Sequence, residues 1–127
     1  MTFETCIQTL QQLAIKRKIN YQLATLLPIA QKLGNPQQAL PPTIHIAGTN
    51  GKGSTLAFLR SILMAAGYRV GTFSSPHIQC YTERIAINRH PINHETFSRL
   101  FQACAPYLSQ SLTEFEILTL MALRYFA

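Results

Sequence analysis

The chain has 127 residues, of which 47% are hydrophobic and 13% are charged, and its formal net charge is +6. This composition excludes an intrinsically disordered chain, and the lack of an apolar run of about 18 to 20 residues excludes a transmembrane helix. Apart from Lys16-Arg17-Lys18, which is typical of a solvated helix end, the basic residues are spread along the sequence without interleaved aromatics. The charge therefore predicts anionic small molecules as partners, and neither nucleic acid nor a membrane.

The cysteines and the N-terminus bear on the cellular compartment. Cys6, Cys80 and Cys104 are odd in number and widely spaced, which is neither a disulfide framework nor a zinc-binding pattern. The N-terminus lacks the apolar centre of a signal peptide, because Glu4 and several glutamines interrupt it. Reduced thiols and a cytoplasmic location are therefore predicted.

Two helices are predicted at the N-terminal end. Apolar residues of Thr2–Ile15 recur at spacings of three and four, which predicts an amphipathic helix with Thr2 as its N-cap. Asn20 is the predicted N-cap of a second helix, in which Pro28 implies a kink or a later start. Gly34-Asn35-Pro36 is typical of a helix end.

Thr43–Thr55 is the most informative stretch of the sequence. It begins with a short apolar strand, Thr43–Ala47, and continues into a glycine-rich turn and the first turn of a helix. Glycines let backbone N–H groups converge, the helix presents its positive end, and a lysine ammonium meets the outer phosphates. These features predict a phosphate-binding loop made of Gly48, Thr49, Asn50, Gly51, Lys52, Gly53 and Ser54.

This loop departs from the pattern G-x-x-x-x-G-K-[ST] at two positions. Ile46 stands where the first glycine is expected, and Gly53 follows the lysine in place of a hydroxyl residue. The alternative interpretation is a glycine-rich turn that caps an ordinary helix.

The residues after the loop predict a βαβ unit. A helical apolar stripe runs from Leu56 to Ala66 and ends at Gly67, and Tyr68–Phe73 is the next predicted strand. A strand, a helix and a second strand in this order predict a parallel pair with a right-handed crossover. A loop then runs to about Thr82, and Glu83–Asn88 alternates as in a short strand at the sheet margin.

The C-terminal part predicts two further helices and a larger protein. Asn93 is the predicted cap of one helix, and Thr113 with Glu116 forms a capping box for the last, whose apolar residues are typical of a helix buried between layers.

Two clear strands are too few to cover so much apolar helix surface. The sequence also contains no aspartate for a magnesium site, so either the metal is held mostly by hydroxyls and phosphates or the missing ligand lies on further sequence. We therefore expect residues 1–127 to be the front part of a larger α/β protein.

Four segments together resemble the bifunctional dihydrofolate synthase/folylpolyglutamate synthase family of the Mur ligase superfamily. They are Ala47–Ser54, Ser61–Tyr68, Thr72–His77 and Tyr81–Ile85. The resemblance runs from about Asn20 to the end of the chain and covers about the front third of a family member. It implies a parallel-sheet Mur-ligase-like ATPase domain with flanking helices, present as its N-terminal part only. The rest of that domain and a C-terminal glutamate-binding domain are expected to be absent.

The resemblance implies an ATP-dependent ligase that is a monomer at full length. The carboxylate of dihydropteroate, or of a folate glutamate tail, attacks the γ-phosphate of ATP, and the acyl phosphate is then taken by L-glutamate. Residues 48–54 bind ATP in this interpretation, and Lys52 neutralises the transferred phosphoryl group. Ser75 is the implied Mg²⁺ ligand, beside phosphates and waters. The remaining ligands that the resemblance implies are a glutamate and a histidine on strands beyond residue 127.

The resemblance also implies a pterin-binding segment at Thr113, Glu114, Phe115 and Glu116. Phe115 would stack on the pterin ring, and a glutamate would accept its N–H groups. The alternative is a helix start with a capping box and a core phenylalanine. The family's folate segment before the loop has no clear counterpart in Asn20–Thr25. His77 is interpreted as a residue with structural hydrogen bonds, with a ligand or base as the alternative.

Two other functions stay open at this point. Another loop-type phosphotransferase or ATPase would explain residues 48–54, but neither Ser74–His77 nor Thr113–Glu116. A non-catalytic nucleotide-binding fragment would have the loop without the remaining metal ligands and the glutamate site. The family is preferred for identity, and residues 1–127 alone are expected to be inactive.

Overall fold

The computed structural model describes residues 1–15, 23–110 and 112–127. It contains two compact units, one formed by Met1–Pro41 with His94–Ala127 and the other by Pro42–Asn93. We call them the helical unit and the loop unit. The predicted cap Asn20, the Lys16-Arg17-Lys18 triplet and the beginning of Asn20–Thr25 lie outside the described residues.

The described residues of the helical unit form four α-helices and two 3-10 segments. The helices are α1 (Phe3–Ile15), α2 (Leu23–Lys32), α4 (His94–Cys104) and α5 (Glu114–Phe126), and the loop unit provides α3 (Lys52–Ala65) between them in the chain. The 3-10 segments are Pro36–Gln38 and Ala105–Gln110. None of the helices in the described ranges is long and apolar enough to cross a membrane.

The predicted caps of the first and last helices are confirmed. The Thr2 hydroxyl accepts a hydrogen bond from the Thr5 N–H at 3.2 Å, which satisfies one of the free donors at the start of α1. In α5 the Thr113 hydroxyl accepts from the Glu116 N–H at 3.2 Å, and a Glu116 carboxylate oxygen accepts from the Thr113 N–H at 3.0 Å. This is the reciprocal capping box that the spacing predicts.

The core of the helical unit lies where α1, α4 and α5 pack together. The interior side of α5 is buried over most of its length, as predicted. Burial of each large apolar side chain contributes about 1.5 to 3 kcal/mol. The fully buried side chains of this core are Cys6, Leu10, Ile29, Phe97, Phe101, Cys104, Ile117, Leu118, Leu120 and Met121.

All three cysteines are free thiols, as predicted, but their environments differ. Cys6 and Cys104 have no exposed surface, and Cys80 is partly exposed. Burial raises the pKa of the Cys104 thiol to about 11, and burial also raises the pKa of Cys6. Since the thiolate is the nucleophile, both buried cysteines should be chemically inert in the folded chain.

We therefore expect Cys80 to be the cysteine that iodoacetamide alkylates in the native protein at pH 8. Cys104 should react on the order of 100-fold more slowly than an unburied thiol, because little of it is ionised. Peptide mass spectrometry after timed alkylation measures the three rates, and denaturation in urea should make them similar. Native alkylation of Cys104 at a rate near that of Cys80 would contradict this prediction.

The loop unit contains α3 and a small antiparallel sheet. Its strands are β1 (Gly71–Phe73), β2 (Ile85–Ile87) and β3 (His90–Pro91), in the order β1-β2-β3. Phe73 pairs with Ile85 in the first ladder, and Ile87 pairs with His90 in the second. The β2–β3 turn is made by Asn88 and Arg89, both at positive φ, as in the two-residue turns that match strand twist.

The predicted parallel pair is wrong for the residues that the structure describes. Thr43–Ala47 does not form a strand, and Ile44 is 61% exposed. The predicted strand at Tyr68–Phe73 exists in its last three residues and pairs with β2 in the antiparallel direction. Alternation and β-branching predict a segment that fits a sheet, but a strand exists only where a neighbour supplies hydrogen bonds.

The apolar stripe of α3 is a second difference from the sequence prediction. The helix begins and ends close to the predicted residues, but it contains no buried residue. Ile62 is 65% exposed, and Phe58 beside the stripe is 70% exposed. Helical periodicity correctly identified the element, but the described residues do not cover its apolar face.

Candidate functional site

The predicted phosphate loop forms the entry to α3. Residues 48–51 make the turn, and α3 begins at Lys52 with Gly51 as its N-cap. Gly51 has φ +80°, a left-handed conformation that residues with a Cβ adopt only at a cost. A Cβ built on Gly48, Gly51 or Gly53 would meet nothing within 4 Å, so the space against this backbone is open.

The start of α3 presents backbone donors to this open space. The Thr55 N–H donates to the Gly51 carbonyl oxygen at 3.0 Å, which is the first bond of the helix ladder. The N–H groups of Lys52, Gly53 and Ser54 precede that bond, so helix geometry directs them beyond the helix end. The first turn contains no acidic side chain, and the positive end of the helix dipole is not neutralised there.

The Lys52 side chain folds back over the turn. Its ammonium group donates a hydrogen bond to the Gly48 carbonyl oxygen, four residues earlier, and both residues are exposed. This places a positive charge beside the backbone donors of the same loop. Residues 48–54 therefore offer what an anion with several oxygens needs, namely a concentrated set of N–H donors and an exposed cation.

Ser75 lies in the loop that follows β1, in the same unit as residues 48–54. It is exposed, and the peptide bond between Ser75 and Pro76 is cis. The base of this loop is closed by a hydrogen bond from the Ser74 N–H to the Arg84 carbonyl oxygen at 3.0 Å, which extends the β1–β2 ladder by one rung. The Ser75 hydroxyl is thus accessible, and it lies next to a fixed backbone position.

Glu83 binds the backbone of the same loop. One carboxylate oxygen accepts from the N–H groups of Gln79 at 2.7 Å and Cys80 at 2.8 Å, and the other accepts from Ile78 at 3.1 Å. Hydrogen bonds from Cys80, Gln79 and Ile78, in decreasing order, lower the pKa of the Glu83 carboxyl. Glu83 is therefore an ionised acceptor for three consecutive amides and has little capacity left to ligate a metal.

The Glu83 hydrogen bonds should weaken at acid pH. The folded pKa lies below the unfolded one, so the stabilising contribution is complete above about pH 4.3, the ordinary value for glutamate, and is lost as the pH falls through the lower folded pKa. We expect hydrogen-exchange protection of the amides of residues 78–80, corrected for intrinsic rates, to be constant near neutral pH and to disappear as the pH falls through the lowered folded pKa of Glu83.

Two controls accompany this measurement. Amides in the middle of α4 should keep their protection over the same pH range, which separates loop opening from general unfolding. Glu83→Gln should remove the pH dependence at residues 78–80. Protection of residues 78–80 in the unsubstituted chain that is lost only together with that of α4 as the pH falls would contradict the prediction.

His77, Tyr81 and Arg84 form a partly buried cluster beneath this loop. The Arg84 Nε–H donates to His77 Nδ1 at 2.8 Å, and the guanidinium carbon lies 5.1 Å from the centre of the Tyr81 ring. The His77 and Tyr81 ring centres are 4.2 Å apart. Since guanidinium has no acceptor, Nδ1 must be the unprotonated nitrogen, so the proton of the neutral ring is on Nε2. The interpretation of His77 as a residue with structural hydrogen bonds is confirmed.

The predicted pterin segment lies in the helical unit, at the start of α5. Thr113 and Glu116 are occupied by the capping box, and Glu116 is only 5% exposed. Phe115 is 41% exposed, so it is not the core residue that the alternative interpretation required. A planar ligand would thus find Phe115 and the half-buried Glu114 more accessible than the other two residues.

The metal-binding capacity of the described chain is limited. Residues 1–15, 23–110 and 112–127 contain no group of three or more histidine, cysteine or acidic side chains that could hold a metal ion. Mg²⁺ nevertheless suits such a surface when it arrives with a nucleotide, because it keeps several waters and takes only one or two protein oxygens. The exposed hydroxyl of Ser75 is chemically suitable as one of them.

Sequence reasoning missed Glu83 and Arg84 as residues with a defined role. Glu83 occupies the third position of the 3-10 turn Tyr81–Arg84, where a carboxylate commonly reaches back to backbone N–H groups. Cys80 stands at the cap position in place of serine or threonine, which hides the signal. No spacing rule predicts the Arg84–His77 bond, because it depends on how the loop folds.

Comparison with known proteins gives a consistent group of relatives, although no family model matches the chain. The Bacillus subtilis protein named dihydrofolate synthase/folylpolyglutamate synthase is 43% identical over 112 residues, covering 83% of this chain and 26% of that protein. A Yersinia pestis bifunctional folylpolyglutamate synthase/dihydrofolate synthase, solved with AMPPNP and a Mn ion, superposes with a TM-score of 0.86 at 37% identity, covering 99% of this chain and 30% of its own.

A further solved structure of an enzyme with the same name contains Mn, AMPPNP and L-glutamate. It has a TM-score of 0.85 at 36% identity and covers 99% of this chain and 30% of its own. The chain thus spans about a quarter of the curated relative and under a third of these solved chains, 26% and 30% respectively.

Proposed function

We propose that this chain, which matches the N-terminal part of the dihydrofolate synthase/folylpolyglutamate synthase family, carries the ATP-binding loop of an ATP-dependent amide ligase. The observation that carries the proposal is the arrangement at the start of α3. The Lys52 ammonium lies at the Gly48 carbonyl, beside the outward-facing N–H groups of the first helical turn. Relatives solved with AMPPNP and Mn support a nucleotide with a divalent cation as the ligand.

The phosphate-binding step follows from this geometry. Backbone N–H groups of Thr49 to Ser54 surround the β- and γ-phosphates, and Lys52 exchanges its bond to Gly48 for phosphate oxygens. The ammonium then compensates the charge that develops on the transferred phosphoryl group. Gly53 contributes an N–H and no side chain, so the hydroxyl expected after the lysine has to come from elsewhere.

Ser75 is the residue that we propose to supply this hydroxyl to the cation. Its Oγ would join phosphate oxygens and waters around Mg²⁺, whose contribution is to neutralise charge on the β- and γ-phosphates. The loop unit of this chain contains both Ser75 and the phosphate loop. The further ligands of the cation would come from outside the described residues.

The chemistry that this site serves is glutamate ligation through an acyl phosphate. The carboxylate of dihydropteroate, or of the last glutamate of a folate tail, attacks the γ-phosphate, and ADP leaves. The amine of L-glutamate then attacks the acyl carbon, and phosphate leaves with formation of the amide. Phe115 and Glu114 are the residues of the predicted pterin segment that we propose to contact the pterin, since Thr113 and Glu116 already cap α5.

The complete gene product that contains residues 1–127 tests this function. With dihydropteroate, ATP, Mg²⁺ and L-glutamate together, it should form dihydrofolate and ADP in equal amounts, and omission of any one component should stop the reaction. Phosphate release that does not depend on the pterin would instead indicate a simple ATPase. ATP binding without turnover would indicate a non-catalytic nucleotide-binding protein, which is what we expect of residues 1–127 alone. Cytoplasmic location and a monomeric state stay predictions.

A further inference from the structure

We propose that Glu83 and Arg84 are positioning residues that hold Ser75 in the orientation required for the nucleotide-bound cation. The inference rests on the proposed function, in which the Ser75 hydroxyl meets Mg²⁺. Neither residue needs to touch the nucleotide. Both act on the backbone and side chains of residues 77–80, which lie beyond Ser75 in the same loop.

The loop is fixed to Arg84 on both sides of Ser75. On one side of Ser75, the Ser74 N–H is bound to the Arg84 carbonyl oxygen at the base of the loop. On the other side, the His77 ring is bound by the Arg84 Nε–H at 2.8 Å. Arg84 thus contacts the residue before Ser75 through its backbone and the residue two positions after it through its side chain. Only Ser75 and Pro76 lie between these two attachments.

The attachment of His77 is held in turn by the buried side chains of Arg84 and Tyr81. Arg84 is 8% exposed and Tyr81 is 5% exposed, so the side of the loop that receives His77 is buried. The guanidinium lies over the Tyr81 ring, and that ring also contacts His77, so three side chains restrain one another. A planar guanidinium suits this arrangement, because it can donate at Nε while its face packs on the ring.

The tip of the loop, residues 78–80, is held by Glu83. Glu83 accepts hydrogen bonds from the N–H groups of Ile78, Gln79 and Cys80, three donors that a solvent-exposed loop would otherwise leave to water. Ile78 is 92% exposed, so apolar packing does not hold this part of the loop. Charge-assisted hydrogen bonds to a carboxylate are therefore its main restraint. The 3-10 turn Tyr81–Arg84 acts as a clamp on residues 74–80, with Ser75 as the exposed functional position.

The prediction is that loss of the clamp weakens cation binding through Ser75. Residues that orient a metal ligand typically change metal affinity by about 10- to 100-fold when they are replaced. Arg84→Lys keeps the charge but loses the Nε donor, and Glu83→Gln keeps the shape but loses the charge. In the complete gene product with AMPPNP bound, each should weaken Mn²⁺ binding about tenfold, measured by electron paramagnetic resonance titration of free Mn²⁺.

Matched controls come from exposed residues of α4. Arg99→Lys and Glu95→Gln repeat the same chemical changes outside the loop unit and should leave Mn²⁺ affinity within about twofold. Similar losses in the control variants and in the clamp variants would overturn the inference, because a general change of charge would then account for the effect.

A double substitution shows whether the clamp acts through Ser75. In a Ser75→Ala background, Arg84→Lys should weaken Mn²⁺ binding by no more than about twofold further, since the oriented hydroxyl is already gone. Fully multiplicative losses would overturn the positioning role. If Ser75→Ala itself leaves Mn²⁺ affinity unchanged, the assignment of Ser75 in the proposed function fails. If Ser75→Ala weakens Mn²⁺ binding but Glu83→Gln and Arg84→Lys do not, the positioning role of Glu83 and Arg84 is rejected. The assignment of Ser75 as a metal ligand then still stands.

A measurement on the unsubstituted protein keeps the inference testable if a variant does not fold. The amides of residues 78–80 should already be protected from hydrogen exchange before nucleotide and Mn²⁺ are added, and the complex should raise their protection less than threefold, on the scale of a preformed site. Amides that are unprotected until the complex forms would show that the ligand, and not Glu83 and Arg84, orders the loop.

Discussion

Replacing Lys52 by alanine should lower the rate of ATP-dependent glutamate ligation by about 100- to 1,000-fold in the complete gene product. The physical reason is the position of its ammonium group, which already lies within the loop at the Gly48 carbonyl and has no acidic neighbour in the first turn of α3. Removal of this charge leaves the developing charge of the phosphoryl group to the backbone N–H groups and the bound cation. Single-turnover measurement of ADP and product formation gives the effect on the chemical step.

Lys52→Arg helps to separate charge from geometry. Guanidinium is planar and spreads its charge over a larger group, so it does not reproduce the compact point charge of the ammonium, and most of the loss should remain. Lys32→Ala is the matched control, since Lys32 lies on α2 in the other unit, with its ammonium 5.6 Å from the centre of the Tyr107 ring. Its turnover should stay within about twofold of the unsubstituted protein. Near-normal turnover in Lys52→Ala would reject residues 48–54 as the ATP site.

Phe97→Ala should lower the free energy of unfolding of the 127-residue chain by about 3 to 5 kcal/mol. Phe97 has no exposed surface, and its ring meets the edge of Phe3 with the ring centres 5.4 Å apart, so it joins α4 to α1. The substitution removes a large apolar side chain and leaves a cavity that the packed helices cannot fully close. Urea denaturation followed by circular dichroism at 222 nm measures the change.

Phe58→Ala is the same substitution at an exposed position of α3. Phe58 is 70% exposed in this chain, so the free energy of unfolding should change by less than about 0.5 kcal/mol. Equal effects of the two substitutions would contradict the assignment of the core to the interface of α1, α4 and α5. A small effect of Phe97→Ala alone would mean that α1 does not pack stably on α4.

Sequence patterns were sufficient for features that depend on neighbouring residues. The amphipathic spacing of Thr2–Ile15 predicted α1, and the spacing of Thr113 and Glu116 predicted both the start of α5 and its two capping bonds. These bonds join residues three positions apart, so the local geometry of one helical turn decides them. The glycines and the lysine of residues 48–54 likewise predicted the turn and the start of α3 from adjacent residues.

Only the tertiary structure decided which strands pair and which side chains hold the loop of residues 74–80. Residues 43–47 have a strand-like sequence but form no strand in the described chain, whereas β1 pairs antiparallel with β2 across an intervening loop. The bond from Arg84 to His77 and the three amides bound by Glu83 also depend on that loop closing on itself. Pairing and closure depend on the geometry of residues brought together by folding, which local sequence periodicity does not encode.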